Sequence, residues 1–329
     1  MKDITASWRF ASLIGGLVAI SVASCGGSGT TAASTHASSQ GRWQVILTVK
    51  TAAINYGIPG IALDGHGNLY VTELDDNLIY EYSTSGKLEA QWGGTGSAPG
   101  RLTGPNKLTF DIQGNLYVTE VGTPSEIGST GGNNRVQKFS PTGTPLHQWG
   151  TLGSGPGQFN TPVGIAVDRH GDIFVSDVAN HRIQKLSPIG QSLTQWHTVG
   201  TGTGEANTEI GYDLVLDAAG NVYLSEPHPF GPGNDRLQKF SPEGQLLATW
   251  GGSGIGPGQF NQPTGLAVDG KGNIFVVDAY NNRVQELSPS GQFVAQWDGP
   301  GFRFVSKIAV DAQRNMYVTV GNQVFRRAF

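Results

Sequence analysis

The stretch GPGQFNTPVGIAVDRHGDIFVSDVANHRIQKLSPIG, residues 155–190, decides the fold, because its pattern returns as GPGQFNQPTGLAVDGKGNIFVVDAYNNRVQELSPSG at residues 256–291. Each copy contains three short apolar or mixed runs separated by glycine-containing turns. Glycine adopts the positive φ that tight hairpins require, and β-branched and aromatic residues in the runs favour strands. The pattern predicts a repeated unit of short antiparallel strands.

The Asp that ends the first run of each copy recurs six times, with spacings of 47, 57, 49, 52 and 42 residues. Its positions are Asp64, Asp111, Asp168, Asp217, Asp269 and Asp311. Strand-rich repeats of this length are typical of β-propeller blades. Five copies continue through a Ser-x-x-Gly turn into a fourth strand that ends in tryptophan, whereas the sixth stops at Phe329. We expect residues 43–49 to supply the missing strand and to close the ring.

The two most regular copies, residues 155–182 and 256–283, resemble the NHL-repeat family. The resemblance covers roughly residues 42–329. It implies an all-β fold: a six-bladed β-propeller of four-stranded antiparallel blades, whose last blade is completed by the N-terminal strand.

Composition and charge narrow the possible functions. The chain has 49 glycines in 329 residues but only 14% charged residues, which disfavours a disordered or coiled-coil protein. The formal net charge is −4, and removal of Lys2, Arg9 and Asp3 with a leader would make it −5. A negative body does not attract phosphate backbones, so we expect no nucleic-acid partner.

The N-terminal sequence is typical of an export signal. A short apolar stretch leads into Val22-Ala23-Ser24-Cys25, which resembles the lipobox of bacterial lipoproteins. Residues 1–24 are therefore interpreted as a signal peptide, and Cys25 as the lipidated first residue of the mature chain. Residues 25–41, rich in Gly, Ser, Thr and Ala, are interpreted as a flexible tether. We expect a protein anchored to a bacterial membrane on its periplasmic or cell-surface side.

Many recurring polar residues are interpreted as scaffold. Asp177 and Asp278 each stand five residues before an arginine, Arg182 and Arg283, and we expect such pairs to bridge the second and third strands of a blade. Glu73 departs from this pattern, because a leucine occupies the arginine position. The tryptophans recur in five copies, so we interpret them as packing residues.

The residues that break the repeat are the candidate site. The position that opens the first strand is glycine in copies one, three and five, but Lys107, Asp213 and Lys307 in copies two, four and six. First strands line the central channel of a propeller, so these side chains should converge at one channel mouth. The neighbouring or loop residues Asn106, Tyr212, Glu73 and His228 complete the candidate set. The cluster is either a pocket for a small polar or anionic ligand or a self-satisfied plug.

We favour a monomeric binding or scaffolding module whose partner is an envelope protein or a small polar or anionic ligand. We find no catalytic sequence motif, we expect no resident cofactor, and catalysis stays open. The alternative is a metal-dependent propeller enzyme of the lactonase or lyase type, with calcium held by Glu73, Asn106 and Asp213. The scattered histidines disfavour the metal-bound histidine site of amidating lyases, which share this repeat.

Overall fold

The computed structural model describes residues 42–49, 58–121, 132–197, 213–227, 235–298 and 305–329. These residues form 24 β-strands in six four-stranded sheets and two 3₁₀ turns, Val178–Asn180 and Ala279–Asn281. The predicted signal peptide, Cys25 and the predicted tether lie outside the described residues, as do Tyr212 and His228.

The strands fall into six blades in chain order. Blade 1 contains β2 (Ile61–Leu63), β3 (Leu69–Glu73), β4 (Leu78–Tyr82) and β5 (Leu88–Gly93). Blade 2 contains β6 (Pro105–Phe110), β7 (Leu116–Glu120), β8 (Arg135–Phe139) and β9 (Pro145–Trp149). Blade 3 contains β10 (Pro162–Val167), β11 (Ile173–Asp177), β12 (Arg182–Leu186) and β13 (Ser192–His197). Blade 4 contains β14 (Asp213–Leu216), β15 (Val222–Glu226), β16 (Arg236–Phe240) and β17 (Leu246–Gly251). Blade 5 contains β18 (Pro263–Val268), β19 (Ile274–Asp278), β20 (Arg283–Leu287) and β21 (Phe293–Asp298). Blade 6 contains β22 (Val305–Val310), β23 (Met316–Val320), β24 (Gln323–Arg327) and β1 (Gln44–Thr48).

The first strands of the blades form a closed hub. Each contacts the first strand of both neighbouring blades, in the cyclic order β2, β6, β10, β14, β18, β22 and back to β2. All pairings within the blades are antiparallel and join consecutive strands, apart from the strand from the N-terminus in blade 6. The prediction of an all-β, six-bladed propeller is confirmed.

Blade 6 is built from both ends of the described chain. Strand β1 pairs antiparallel with β24, with Gln44 opposite Arg326 and Thr48 opposite Gln323. The residues next to β1 are held as well, since the Val49 amide donates to the Asn322 carbonyl at 2.8 Å. The N-terminal strand thus occupies the outer position that a fourth strand takes in the other blades.

The antiparallel order gives the propeller two different faces. The turns that join first to second and third to fourth strands lie on one side, here called the hairpin face. The loops that join second to third strands and the connectors between blades lie on the other side, the loop face. On the hairpin face, Asp64 Oδ1 accepts hydrogen bonds from the amides of His66 and Asn68 at 2.8 Å, so the repeated Asp stabilises the turn between the first and second strands.

The tryptophans of the fourth strands join neighbouring blades. Trp149 of blade 2 packs so closely on the hairpin glycine Gly190 of blade 3 that a Cβ there would lie 1.8 Å from its ring, and Trp250 takes the same place against Gly291. Buried aliphatic and aromatic residues fill the layers between adjacent blades. The packing role predicted for the tryptophans follows directly from these contacts.

Within the described residues, no helix has the length and hydrophobicity needed to cross a membrane.

Candidate functional site

Three ionisable side chains enter the hub from alternate blades. Lys107 lies on β6, Asp213 opens β14 and Lys307 lies on β22, and all three are at least 93% buried. In blades 1 and 3 the equivalent position is glycine, and the neighbouring backbone there is too close for a side chain. A Cβ on Gly60 would lie 2.2 Å from the Asn106 carbonyl oxygen, and one on Gly164 would lie 2.9 Å from the Leu214 nitrogen. Small and charged residues therefore alternate around the hub.

Asp213 is the centre of the cluster. Its Oδ1 lies 2.5 Å from Lys107 Nζ, and its Oδ2 accepts a hydrogen bond from the Leu266 amide at 3.0 Å. Lys107 Nζ also lies 3.4 Å from the Leu214 carbonyl oxygen. A buried carboxylate needs such donors, because an isolated charge in a protein interior is strongly destabilising. Blades 2, 4 and 5 are thus tied together through one side chain.

Lys307 is the second cation of the cluster. Its Nζ donates to the Thr264 carbonyl oxygen at 3.3 Å. Burial lowers the pKa of Lys307 below the usual 10.5; the Asp213 carboxylate opposes this shift, and the Lys107 ammonium adds to it. Two ammonium groups thus act on one carboxylate.

Hydroxyl groups on the second strands position these residues, and sequence reasoning missed them. The Asp213 amide donates to Ser225 Oγ at 3.2 Å, the Lys307 amide donates to Thr319 Oγ1 at 3.1 Å, and Thr119 Oγ1 donates to the Lys107 carbonyl at 3.3 Å. The signal was present: a Ser or Thr stands one residue before the end of the second strand in five of the six blades. These residues are Thr72, Thr119, Ser176, Ser225 and Thr319.

Glu73 and Asn106 make contacts within blade 1 and between blades 1 and 2. Glu73 ends β3 opposite Leu78, and its two carboxylate oxygens accept hydrogen bonds from the amides of Asp75 (3.0 Å) and Asp76 (2.6 Å). Burial raises the pKa of the Glu73 carboxyl. The Asn106 carbonyl accepts a hydrogen bond from Thr72 Oγ1 at 2.7 Å.

The proposed calcium ligands do not fit a metal site. Each carboxylate oxygen of Glu73 and Asp213 already accepts a hydrogen bond from the protein. Across the described ranges, no group of three or more His, Cys, Asp or Glu side chains is arranged to hold a metal ion. Calcium requires six to eight oxygen ligands, and the side chains of Glu73, Asn106 and Asp213 together supply fewer than that.

The acid–arginine pairs predicted as scaffold are buried ion pairs at the loop face. Asp278 lies opposite Arg283 across β19 and β20, and Arg283 Nε donates to Asp278 Oδ2 at 2.7 Å. The same guanidinium reaches back to the preceding connector, where it donates to the carbonyls of Ile255, Gly256 and Gln259 at 2.7–2.9 Å. The equivalent pairs are Glu120–Arg135, Asp177–Arg182 and Glu226–Arg236, at 2.5–2.7 Å. The pairs therefore fasten the connectors as well as the strands.

Two segments of the chain, in blades 3 and 5, are similar to a known repeat family. Residues 159–186 and 260–287 match the NHL repeat family model. Two segments of the chain thus match the NHL repeat. They are the two regular copies from blades 3 and 5, whose aspartate–arginine pairs are described above.

Similar proteins share part of the sequence or the fold. NHL repeat-containing protein 3 of Mus musculus is 34% identical over 103 residues, which span 31% of this chain and only 28% of that protein. A streptogramin B lyase structure superposes with a TM-score of 0.60 at 14% identity, covering 88% of this chain and 97% of the other. A gluconolactonase from Xanthomonas campestris superposes with a TM-score of 0.61 at 16% identity, covering 88% and 89% of the two chains. At such low identity, the structural likeness shows the propeller fold alone.

Proposed function

We propose that this protein is a membrane-anchored, extracytoplasmic binding propeller whose loop face and channel mouth capture a small anionic ligand or an anionic group of an envelope protein. The observation that carries the proposal is the convergence of Lys107, Asp213 and Lys307 from alternate blades. Within the described residues, no other position of the repeat both departs from the repeated residue type and brings ionisable side chains together at the hub.

The charge of the cluster favours an anion. Two lysines and one aspartate face the hub, and the lowered pKa of Lys307 shows that burying a second ammonium there is unfavourable. An incoming carboxylate or phosphate oxygen would offset this penalty, because opposite charges attract strongly where water is excluded. The three side chains together carry a net charge of +1, which favours an anionic over a cationic ligand.

The anchoring part of the proposal rests on sequence. The segment Val22-Ala23-Ser24-Cys25 resembles a lipobox. A protein held at a membrane with its loop face available would present the channel mouth to ligands of the envelope. Intact-mass measurement of the mature chain, isolated from membranes, tests the N-terminus directly: Cys25 should be the first residue and carry a lipid.

Ligand binding is tested by thermal shift with inorganic phosphate and citrate as probes. We expect both anions to raise the Tm of the wild-type protein and to have little effect on Lys107→Met and Lys307→Met. The matched control is Lys87→Met, because the Lys87 ammonium is exposed and pairs with Glu89 on the hairpin face, far from the hub. Equal anion responses in the wild type and in both hub variants would place the site elsewhere.

Partner capture is tested in parallel with the native envelope. The wild-type protein and Lys107→Met/Lys307→Met are cross-linked in intact envelopes, and the attached proteins are identified by mass spectrometry. A partner present with the wild type and absent with the double variant supports the loop face as the docking surface. A partner retained by both moves docking away from the channel mouth.

A further inference from the structure

The hairpin face carries most of the exposed apolar surface of the described residues. Ten of the fourteen large hydrophobic residues with exposed side chains lie there. They are Leu88, Ile112, Leu146, Ile189, Leu193, Leu246, Leu247, Phe293, Val294 and Phe329. The loop face carries only Leu152, Ile255 and Tyr280 among those fourteen. The two faces of the propeller therefore differ in the kind of surface that they can contact.

The apolar residues are arranged as a belt around the rim. At the start of each fourth strand from β5 to β21, a register shift introduces an extra residue. In four blades this extra residue is apolar and 43–51% exposed: Leu146, Leu193, Leu247 and Val294. A β-bulge turns a side chain out of the regular alternation of a strand. The belt is thus produced by a repeated backbone feature at one level of the propeller.

Two isoleucines extend the apolar surface at the turns. Ile112 follows the repeated Asp of blade 2 and is 74% exposed, and Ile189 lies in the Ser-Pro-x-Gly turn of blade 3 and is 70% exposed. Exposed isoleucines at turn tips contribute little to the stability of the fold, because an apolar side chain stabilises a protein by being buried. Together with the belt, they place exposed apolar side chains along the rim of blades 2 to 5 on the hairpin face.

The chain enters the propeller on this same face. Strand β1 takes the position of a fourth strand, and fourth strands begin at the hairpin face, so Gln44 lies there and Thr48 lies toward the loop face. Trp43, which precedes the strand, is buried, with the Arg327 guanidinium 5.8 Å from its ring centroid. The described part of the chain therefore begins at the hairpin face, and in the sequence Cys25 stands only 18 positions before Trp43.

From these two observations we infer that the hairpin face rests on the surface of the lipid bilayer. The apolar belt and the two isoleucines insert into the boundary between headgroups and acyl chains, and the loop face points away from the membrane. This inference rests on the anchoring at Cys25 proposed above. Weak apolar contacts suffice here, because attachment through a short chain makes docking intramolecular, with an effective concentration in the millimolar range.

The charges of the hairpin face are compatible with a lipid surface. The exposed charged side chains at its turns include Arg169, Lys271 and Glu243, and Lys87 is paired with Glu89. The repeated aspartates are turned inward and bound by turn amides, as Asp168 is by the amides of His170 and Asp172. The turns of this face thus carry charges of both signs, many of them in ion pairs such as Lys185–Asp172 and Lys239–Asp217, which favours contact through apolar groups over electrostatic attraction.

The experiment compares two exposed isoleucines in the anchored protein. A clickable azidophenylalanine replaces Ile189 on the hairpin face or Ile255 on the loop face, which are 70% and 81% exposed. Each is coupled to an environment-sensitive dye in vesicles of phosphatidylethanolamine and phosphatidylglycerol that contain spin-labelled lipid. We expect quenching at position 189 to exceed quenching at position 255 at least twofold. Equal quenching, or stronger quenching at 255, would overturn the inference.

A second variant and a second mode of attachment keep the outcome interpretable. In Leu193→Ser/Leu247→Ser, both replaced side chains are exposed, so the fold should be retained while quenching at position 189 decreases; unchanged quenching would count against the belt. If mass spectrometry shows an unmodified Cys25, its thiol is coupled to a maleimide lipid and the comparison is repeated. Failure of the natural anchor is then separated from failure of the face to dock.

Discussion

The buried acid–arginine pairs of the loop face repeat from blade to blade, whereas the buried ion pair of the hub does not. The pair Asp278–Arg283 has counterparts in three other blades, each with nitrogen–oxygen distances of 2.5–2.7 Å. The pair Lys107–Asp213, at 2.5 Å, joins residues 106 positions apart and occurs once. The repeated pairs attach a connector to its blade, as the contacts of Arg283 with three connector carbonyls show. The pair Lys107–Asp213 contacts hub strands instead, and this difference makes it the candidate site.

The two pairs also differ in how much else depends on them. Arg283 donates to three backbone carbonyls and to Gln296 Oε1 in addition to Asp278. Lys107 contacts Asp213 and, at 3.4 Å, one carbonyl. A guanidinium presents five donors in a fixed plane, whereas an ammonium is a compact point charge. The repeated pairs therefore bind several backbone groups through one guanidinium, whereas the hub pair makes fewer backbone contacts, chiefly those of Asp213 with the Leu266 amide and of Lys107 with the Leu214 carbonyl.

The largest effect is expected from Arg283→Ala. This change leaves the Asp278 carboxylate buried without its cation and removes four further hydrogen bonds, so we expect a loss of about 3–5 kcal/mol in the free energy of unfolding. Chemical denaturation at pH 7 measures it. The matched control is Arg169→Ala at an exposed hairpin turn, which should stay within about 0.5 kcal/mol of the wild type. Similar losses in both would mean that the repeated pair has no special structural role.

A smaller loss is expected from Asp213→Asn at the hub. The change leaves Lys107 and Lys307 without their shared carboxylate, but the amide can still accept hydrogen bonds, so we expect a loss of about 2–3 kcal/mol. The double variant Asp213→Asn/Lys307→Met should recover part of this loss, because it removes one of the two like charges. Denaturation of the four proteins forms a double-mutant cycle, and the absence of coupling between the two sites would contradict the cluster.

The propeller architecture could be predicted from the sequence, but the contacts of these ion pairs could be predicted only in part. Asp, Gly and Trp positions predicted the blades, because turn chemistry and strand composition act over a few residues. The alternation of glycine with Lys107, Asp213 and Lys307 predicted which charges enter the hub. What Asp213 touches depends on blades 2 and 5 as well as its own, and side-chain geometry across 50 to 100 residues leaves no local pattern in the sequence.

The exposed apolar belt and the hydrogen bonds of Glu73 and Asp213 could not be predicted from the sequence, for related reasons. The apolar residues at the bulges, such as Leu193 and Leu247, look like ordinary strand residues, because a single extra residue in a register is not visible in an alternating pattern. Glu73 and Asp213 carry the same type of group, and only the structure shows that their oxygens are already used by different backbone amides and by Lys107. Tyr212 and His228 stay predictions, since they lie outside the described residues.

An intermediate effect is expected from the titration of Lys307. Since the pKa of Lys307 is lower in the folded protein than its ordinary 10.5, the unfolded chain binds more protons between the two values. The stability of the wild type should therefore rise with pH across this window relative to Lys307→Met. Tm measured from pH 7 to pH 10.5 tests the sign. The exposed control Lys87→Met should follow the wild type, and a wild-type profile parallel to that of Lys307→Met would contradict the burial of an ionisable amine.

The smallest effect is expected where the repeated pair is incomplete. In blade 1, Glu73 faces Leu78 instead of an arginine, and burial raises the pKa of its carboxyl. Leu78→Arg supplies the cation, which should lower this pKa. Yet blade 1 has Tyr80 where blade 5 has Gln285, a side chain that bonds both Asp278 and the connector carbonyl of Gln259. We therefore expect a change in the free energy of unfolding below about 1 kcal/mol.

The pH dependence separates the charge effect of Leu78→Arg from its packing effect. A carboxyl with a raised pKa binds a proton more readily in the folded protein, so the wild type loses stability as pH rises from the ordinary pKa of glutamate, 4.5, through the raised value. With an arginine beside Glu73 this loss should shrink, whereas Leu78→Met, which changes packing without charge, should keep it. Denaturation midpoints between pH 4 and pH 7 measure the difference. A gain of several kcal/mol in the free energy of unfolding of Leu78→Arg would instead show that the ion pair alone stabilises a blade. The glutamine and connector contacts that accompany Arg283 would then not be needed.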